Sequence, residues 1–141
     1  MELRITLNWG NDLNIETVSW PDQPDWPRVK SVQRLGSRQI QLALLVRRDT
    51  SWFEGHFPAH PVLPGVVQVH WACRIVSRVW EQLQDCWEIK NLKFQKLVLP
   101  GDELQLELEH DQSMQQVSFK FSQKTEVCSQ GRLCFTRGHS I

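Results

Sequence analysis

The fold of this chain is decided by residues 52–70, which read WFEGHFPAHPVLPGVVQVH. Three prolines in this stretch fix the backbone φ angle at their positions and remove three N–H donors, so the loop has few conformations. Pro64 suits the first position of a helix, and Gly65 permits the close approach of another group. The N–H groups at such a helix start, with the positive end of the helix dipole, favour negative charge. His56 beside this position has the makings of a general base next to an oxyanion-stabilising site.

The residues on either side predict an α+β domain. From Gly65 to about Leu83, apolar residues recur at spacings of three and four, which indicates a helix. Its first two turns are apolar nearly all round, which is typical of a helix wrapped by a sheet. Shorter segments alternate between apolar and polar residues, which is the pattern of strands. The predicted strands are 29–35, 38–48, 87–99, 103–110, 115–123 and 127–136. Two strands, one long buried helix and a run of antiparallel strands give an α+β fold.

Composition excludes several classes of protein. The chain has 141 residues, of which 40% are hydrophobic and 23% are charged, and its formal net charge is zero. That balance favours neither a nucleic acid nor an anionic membrane as partner. No apolar run reaches the roughly 20 residues that span a bilayer, and no signal peptide is apparent. The four cysteines form no CxxC pair, so we interpret them as reduced thiols of a cytoplasmic protein.

The chain is predicted to have three parts. Residues 1–28 form an N-terminal extension, with a possible β-hairpin within residues 1–20 followed by a stiff connector rich in proline and tryptophan. Residues 29–136 form the α+β domain, and residues 137–141 form a short C-terminal tail. The sequence shows no internal repeat and no low-complexity tract.

Two ordered motifs resemble a known family. Residues 55–58 (GHFP) and 61–66 (PVLPGV) closely resemble the signature of the FabZ-type 3-hydroxyacyl-acyl-carrier-protein dehydratases. Residues 92–104 (LKFQKLVLPGDEL) resemble that family's second motif, an Arg/Lys-Phe segment followed by Val-x-Pro-Gly-Asp. The resemblance covers residues 29–136 and implies the hotdog fold, a curved antiparallel sheet wrapped around one long central helix. The implied reaction removes water from a 3-hydroxyacyl thioester on an acyl carrier protein and gives the trans-2-enoyl thioester.

The resemblance also implies roles for three residues. His56 occupies the position of the family's catalytic histidine, and the Gly65 N–H matches the donor that polarises the thioester carbonyl. The family's acid, a Glu on the central helix, follows the histidine at a fixed distance, and here that position is His70. No carboxylate lies between Glu54 and Glu81 to take its place. A histidine followed by tryptophan on this helix resembles the ApeI-like dehydratases of aryl polyene clusters.

Several interpretations of the site stay open. His70 could donate a proton as imidazolium, in which case the rate should have a bell-shaped pH dependence, or it could be a hydrogen-bonded core histidine. His56 alone could also remove the proton and return it to the hydroxyl. Gln68 could orient His70 or simply pack. The residues predicted to line the acyl site are Phe57, Pro64, Val66, Gln68 and Trp71, whereas Trp52, Phe53 and Trp71 could equally pack in the core.

No metal or cofactor is predicted, apart from the phosphopantetheine arm that carries the substrate. His56, His60 and His70 could be drawn as a metal triad, but no carboxylate or thiolate completes it convincingly. His60 is expected to be a loop residue without a role in the chemistry, or to contact the phosphopantetheine arm.

The expected partners are an acyl carrier protein and a second copy of the chain. Lys90, Lys93 and Lys96, together with Arg74 and Arg78, could dock the acidic carrier or could form a solvated face. The resemblance implies a homodimer with composite active sites, and a higher oligomer or a dehydratase paralogue is the alternative. Two rival functions are a catalytically silent hotdog subunit and a thioesterase. The thioesterase usually needs a helix carboxylate that this chain lacks.

Overall fold

The computed structural model describes residues 19–49 and 61–137, which form one helix and a six-stranded antiparallel sheet. The strand order in the sheet is β1-β2-β4-β5-β6-β3, so β1 and β3 are the edge strands. The elements are β1 (Arg28–Arg34), β2 (Gln39–Leu45), α1 (Gly65–Val79), β3 (Leu83–Phe94), β4 (Glu103–Asp111), β5 (Gln116–Gln123) and β6 (Glu126–Arg137).

The core lies between the inner face of the sheet and the helix. Leu42, Leu106 and Phe121 are paired in register across β2, β4 and β5, and all three side chains are fully buried. Their alternation with polar residues places one face of each strand inward. Ile75 and Val76 of α1 are fully buried as well. One sheet packed around one central helix confirms the predicted α+β architecture.

The predicted end of the helix is wrong by about one turn. Helix α1 ends at Val79, because Trp80 has extended backbone angles and closes the last turn by donating its N–H to the carbonyl of Val76. Leu83 is fully buried, but as the first residue of β3. The Ser77 hydroxyl donates to the Leu83 carbonyl at 2.8 Å and joins the helix to this strand. The apolar spacing predicts a longer helix because Leu83 would face the core whether it belonged to the helix or to the following strand.

Strand β3 is also displaced from its prediction of 87–99, since it runs from Leu83 to Phe94. Its pairing with β6 shifts register at three places. Asp85 and Asn91 lie at two of these shifts with φ of 50° and 54°, values that Asp and Asn tolerate better than most residues. These bulges interrupt the two-residue alternation that sequence patterns depend on.

Residues 19–27, which we call the strap, precede β1 and pack on the helix. Trp26 is buried in the core with 2% of its surface exposed, and its backbone N–H donates to the carbonyl of Gln23. The predicted hairpin within residues 1–20 lies almost wholly outside the described residues. The division of the chain at residues 28 and 136 stays a prediction, and of the predicted tail only Arg137 is described, at the end of β6.

The described residues form no helix that is both long enough and apolar enough to cross a bilayer. Cys73 and Cys86 are half-buried, Cys128 and Cys134 are buried, and all four are free thiols.

Candidate active site

The second motif positions the start of the helix. In its Pro-Gly-Asp turn, Gly101 has a φ of 86°, and the Asp102 carboxylate accepts the N–H of Leu99 at 2.8 Å. This turn fixes the segment that contains Val98, which is fully buried and accepts the N–H of Leu63 at 2.8 Å. The two motifs, which lie far apart in sequence, are therefore joined by a backbone hydrogen bond at the entrance to α1.

Helix α1 begins at Gly65 as predicted, but Pro64 is the cap residue and not the first helical residue, because its ψ of 139° is extended. Pro64 precedes the helix with a φ of −58° and makes no side-chain cap, and its carbonyl accepts the N–H of Val67 at 2.9 Å. The N–H groups of Gly65 and Val66 have no carbonyl one turn earlier in the helix to bind. Such donors, with the helix dipole behind them, can stabilise a negatively charged oxygen.

Phe94 packs directly on the helix start and is a site residue that the sequence reasoning missed. A Cβ on Gly65 would lie 2.7 Å from Cε1 of the Phe94 ring, so only glycine allows this approach. The ring itself is 52% exposed, although it is a large apolar group. Its position in the second motif is the signal in the sequence, although the motif alone does not indicate the contact with Gly65.

Val66 and His70 lie one turn apart on the outer side of the helix. Val66 is 70% exposed, which sets it apart from the buried residues that surround it in α1. His70 is exposed too, so in this chain it is not a core histidine. The core histidine is instead His110, which is 3% exposed and lies with its ring centroid 5.1 Å from that of Trp80.

The electrostatic surroundings of His70 lower its pKa. Partial burial is the main cause, and the positive charge of Arg74 adds to it, whereas the Asp25 carboxylate raises the pKa. The guanidinium Nη1 of Arg74 lies 3.5 Å from Nε2 of His70, at hydrogen-bond distance. Near neutral pH these effects favour the neutral imidazole.

Gln68 and Trp71 are held in the core. Gln68 is 2% exposed, and its Oε1 accepts a hydrogen bond from the Ser129 hydroxyl of β6 at 2.6 Å. Trp71 is 1% exposed, and its Nε1 donates to the carbonyl of Asp25 in the strap at 2.9 Å. The sequence left open whether these two residues pack in the core or serve the site, and both placements favour packing. Gln68 bonds to the sheet and not to His70, and Trp71 bonds to the strap. Ser129 was not anticipated.

The loop of the first motif lies outside the described residues. His56, Phe57 and His60 belong to it, as do Trp52 and Phe53. Their predicted roles stay predictions. Within the described ranges, no group of three His, Cys, Asp or Glu side chains is arranged to hold a metal ion.

The positive residues predicted to dock a carrier protein are divided between two elements. Lys90 and Lys93 are exposed on edge strand β3, and Lys96 follows it and pairs with Glu126 at 2.6 Å. Arg74 and Arg78 instead lie on the outer side of α1 against the strap.

A groove of about 410 Å³ lies on the outer face of the sheet, away from the helix start. Its charged lining mixes both signs, with Glu107 and Glu109 beside Lys120 and Arg132. Lys120 and Glu107 lie 3.8 Å apart, so these charges partly neutralise one another.

Comparison with known proteins finds relatives along most of the chain. Residues 32–132 match the family described as ApeI-like, ApeI dehydratase. The 3-hydroxyacyl-[acyl-carrier-protein] dehydratase FabZ of Erythrobacter litoralis is 38% identical over 109 residues, covering 71% of this chain and 70% of that protein. FabZ of Legionella pneumophila (strain Corby) is 35% identical over 70 residues, covering 43% of this chain and 47% of that protein. The chain thus spans about half the length of several curated relatives that it matches.

Solved structures share the fold. A chain of the dehydratase heterocomplex ApeI:P from Xenorhabdus doucetiae superposes with a TM-score of 0.73 at 26% identity, covering 79% of this chain and 98% of that one. An uncharacterized protein from Erwinia carotovora subsp. atroseptica gives a TM-score of 0.71 at 33% identity, covering 79% and 96%. The dehydratase domain of a MAS-like PKS, at 16% identity and a TM-score of 0.62, is similar in fold alone and covers 87% of this chain and 44% of that one. These likenesses confirm the predicted hotdog fold.

Proposed function

Because this chain belongs to the ApeI-like dehydratase family, we propose that it removes water from 3-hydroxyacyl thioesters carried on an acyl carrier protein. The products are trans-2-enoyl thioesters, in fatty-acid or polyene-type biosynthesis. The observation that carries the proposal is the start of α1, where Gly65 follows Pro64 and offers its N–H beside the exposed Phe94 ring. A cytoplasmic location is part of the proposal, since four free thiols are typical of a reducing compartment.

The reaction needs three groups. His56 takes the C2 proton, and as a histidine it can be neutral at physiological pH. The Gly65 N–H stabilises the charge that develops on the thioester oxygen, and losing one such donor typically costs about 3 kcal/mol of transition-state stabilisation. The C2=C3 bond forms as the C3–O bond breaks, and the hydroxyl leaves as water after it gains a proton. His70 is the residue next to the departing hydroxyl.

The test is a steady-state assay of the purified chain on 3-hydroxyacyl thioesters of a loaded acyl carrier protein, followed by the absorbance of the enoyl product. A His56→Ala variant is expected to lose nearly all activity. His60→Ala is the matched control from the same loop and should keep most of it. A wild-type rate in His56→Ala would refute the mechanism. Release of free thiol instead of enoyl product would indicate the thioesterase alternative.

A second candidate, a catalytically silent subunit, is favoured by one observation. His70 stands where the FabZ-type dehydratases have a carboxylate, so this chain lacks their usual acid. A structural relative is a dehydratase heterocomplex, which supports a paralogous partner as the source of that acid. If the purified chain is inactive alone and active only with a dehydratase paralogue, the silent-subunit function replaces the first proposal.

Self-association through β3 belongs to the same proposal. This edge strand exposes Trp87, Ile89 and Leu92, three apolar side chains, and an edge strand also offers unpaired backbone groups. Antiparallel pairing of two β3 strands would bury both features around a twofold axis. A Trp87→Lys variant should shift the chain toward monomer in sedimentation velocity. Met114→Lys, which charges an exposed apolar residue in the β4–β5 turn, should leave the oligomer unchanged.

A further inference from the structure

The strap and the outer side of α1 form a network that ends at His70. His70, Arg74 and Arg78 lie at intervals of four residues, so they share one side of the helix. The guanidinium carbon of Arg74 lies 4.9 Å from the centre of the Trp26 ring, and that of Arg78 lies 5.6 Å from the same ring. Both cations therefore contact the Trp26 ring, which helps to hold the two side chains against the strap.

Two hydrogen bonds and a buried tryptophan hold the strap against α1. Trp26 is buried, and the Trp71 indole N–H of α1 donates to the Asp25 carbonyl at 2.9 Å. Arg78 donates from Nη1 to the carbonyl of Ser19 at 2.7 Å. The Asp25 carboxylate also lies 3.9 Å from Nη1 of Arg74 and completes the surroundings of that guanidinium. The strap therefore acts on Arg74 through both a ring and a charge.

In the hydrogen bond between Arg74 and His70, the donor and the acceptor can be assigned. A guanidinium can only donate hydrogen bonds, so Nε2 of His70, 3.5 Å from Arg74 Nη1, must accept. An imidazole that accepts at Nε2 carries its proton on Nδ1 and is neutral. We propose that Arg74, oriented by Asp25 and Trp26, is a positioning residue that keeps His70 as the neutral Nδ1–H tautomer beside the departing hydroxyl. This inference rests on the proposed dehydratase function.

The charges around His70 agree with this assignment. Among the described residues, burial and the Arg74 cation lower the pKa of His70, and the Asp25 carboxylate opposes them. A neutral His70 orients the hydroxyl but does not supply a net proton. His56 then takes the proton from C2 and returns it to the oxygen as the C3–O bond breaks. The proton count balances, with an enoyl thioester and one water as the only products.

The experiment is a ¹H–¹⁵N spectrum of the ¹⁵N-histidine-labelled full chain over a pH series, which reports the tautomer and the pKa of His70 directly. An H70Q sample assigns the signal. Wild-type protein should show the Nδ1–H form at pH 7. Arg74→Gln should raise the pKa of His70 and give a mixture of tautomers. Arg74→Lys, which retains the charge, should keep the pKa low.

Two further variants test how Asp25 and Arg78 affect His70. Asp25→Asn should lower the pKa of His70, because it removes the opposing negative charge. Arg78→Gln is the matched control, since it removes the other guanidinium on the Trp26 ring and should leave His70 in the Nδ1–H form. An unchanged tautomer and pKa in a folded Arg74→Gln protein would overturn the inference.

The kinetic readout separates this inference from the function on which it rests. In an active enzyme, Arg74→Gln should lower kcat by roughly tenfold with little change in KM, because it misplaces a group at the reacting centre. An active wild type whose Arg74→Gln variant matches it in both kcat and spectrum refutes the positioning role alone. A wild type inactive on every 3-hydroxyacyl thioester refutes the proposed function, while the spectra still decide how His70 is held.

Discussion

The contact between Gly65 and Phe94 predicts that the Phe94 ring decides whether Gly65→Ala stabilises or destabilises the protein. In Gly65→Ala, the new methyl would lie 2.7, 2.9 and 3.0 Å from three atoms of the Phe94 ring. Carbon atoms prefer about 3.5–4.0 Å, so the ring must move by about 1 Å. Because the ring is 52% exposed, it can swing outward, and we expect a cost toward the low end of the 1–3 kcal/mol usual for overpacking. The gain of up to about 1 kcal/mol from replacing a helical glycine by alanine offsets part of it.

The matched background is Phe94→Ala, in which the obstacle is removed. There, Gly65→Ala should stabilise the protein by roughly 0.5–1 kcal/mol, since only the helix gain remains. Urea unfolding of the four proteins in this cycle gives the coupling between the two positions, expected at about 1 kcal/mol. The same set should be assayed for dehydration, where Gly65→Ala is expected to lose activity because the displaced ring disturbs the approach to the Gly65 N–H. An equal effect of Gly65→Ala in both backgrounds would show that Phe94 does not restrict this position.

Three other predictions concern the core and the thiols. His110 is buried and its pKa is lowered, mainly by burial, so the stability it confers is complete above its unfolded pKa near 6.5 and is lost as the pH falls below that value. His110→Phe should therefore reduce the loss of unfolding free energy between pH 7.5 and 5.5, measured in urea, by up to about 1 kcal/mol. Ser129→Ala should destabilise the chain by about 1–3 kcal/mol by leaving the Gln68 oxygen unpaired, and Gln68→Leu added to it should recover much of that loss in the same assay. A hydrogen bond from the Cys73 thiol lowers the pKa of Cys86 to about 7, so iodoacetamide at pH 7 should modify Cys86 first by peptide mass spectrometry, and Cys73→Ala should slow it.

The sequence predicts the start of the helix well, because Pro64 and Gly65 act locally. The missing N–H of Pro64 and the absent Cβ of Gly65 restrict what the backbone can do at that point whatever surrounds it. The end of the helix depends on tertiary structure. Leu83 continues the apolar spacing but belongs to β3, and no local residue marks the change. The bounds of β3 are also hard to predict, because the bulges at Asp85 and Asn91 interrupt the alternation of apolar and polar residues along the strand.

The surroundings of the site were less predictable than the fold. The position of His70 follows from counting along a motif, but its contact with Arg74 and the strap does not. Trp26 reaches Arg74 across 48 positions of sequence, and a cation over a ring leaves no periodic pattern. Gln68 and Ser129 pair across 61 positions in the same way. Such contacts require the three-dimensional placement of both partners.

Apolar side chains are exposed beside the start of α1, which bears on how the chain works. Val66 is 70% exposed and Phe94 is 52% exposed beside Gly65, so a single copy leaves apolar side chains in water at the start of the helix. An amide donor is worth far more to a developing oxyanion when water is excluded from it. Edge strand β3, which ends at Phe94, carries its exposed apolar residues up to this same position. A second surface pairing with β3 would cover the amide and the strand together, so association and catalysis should depend on the same contact.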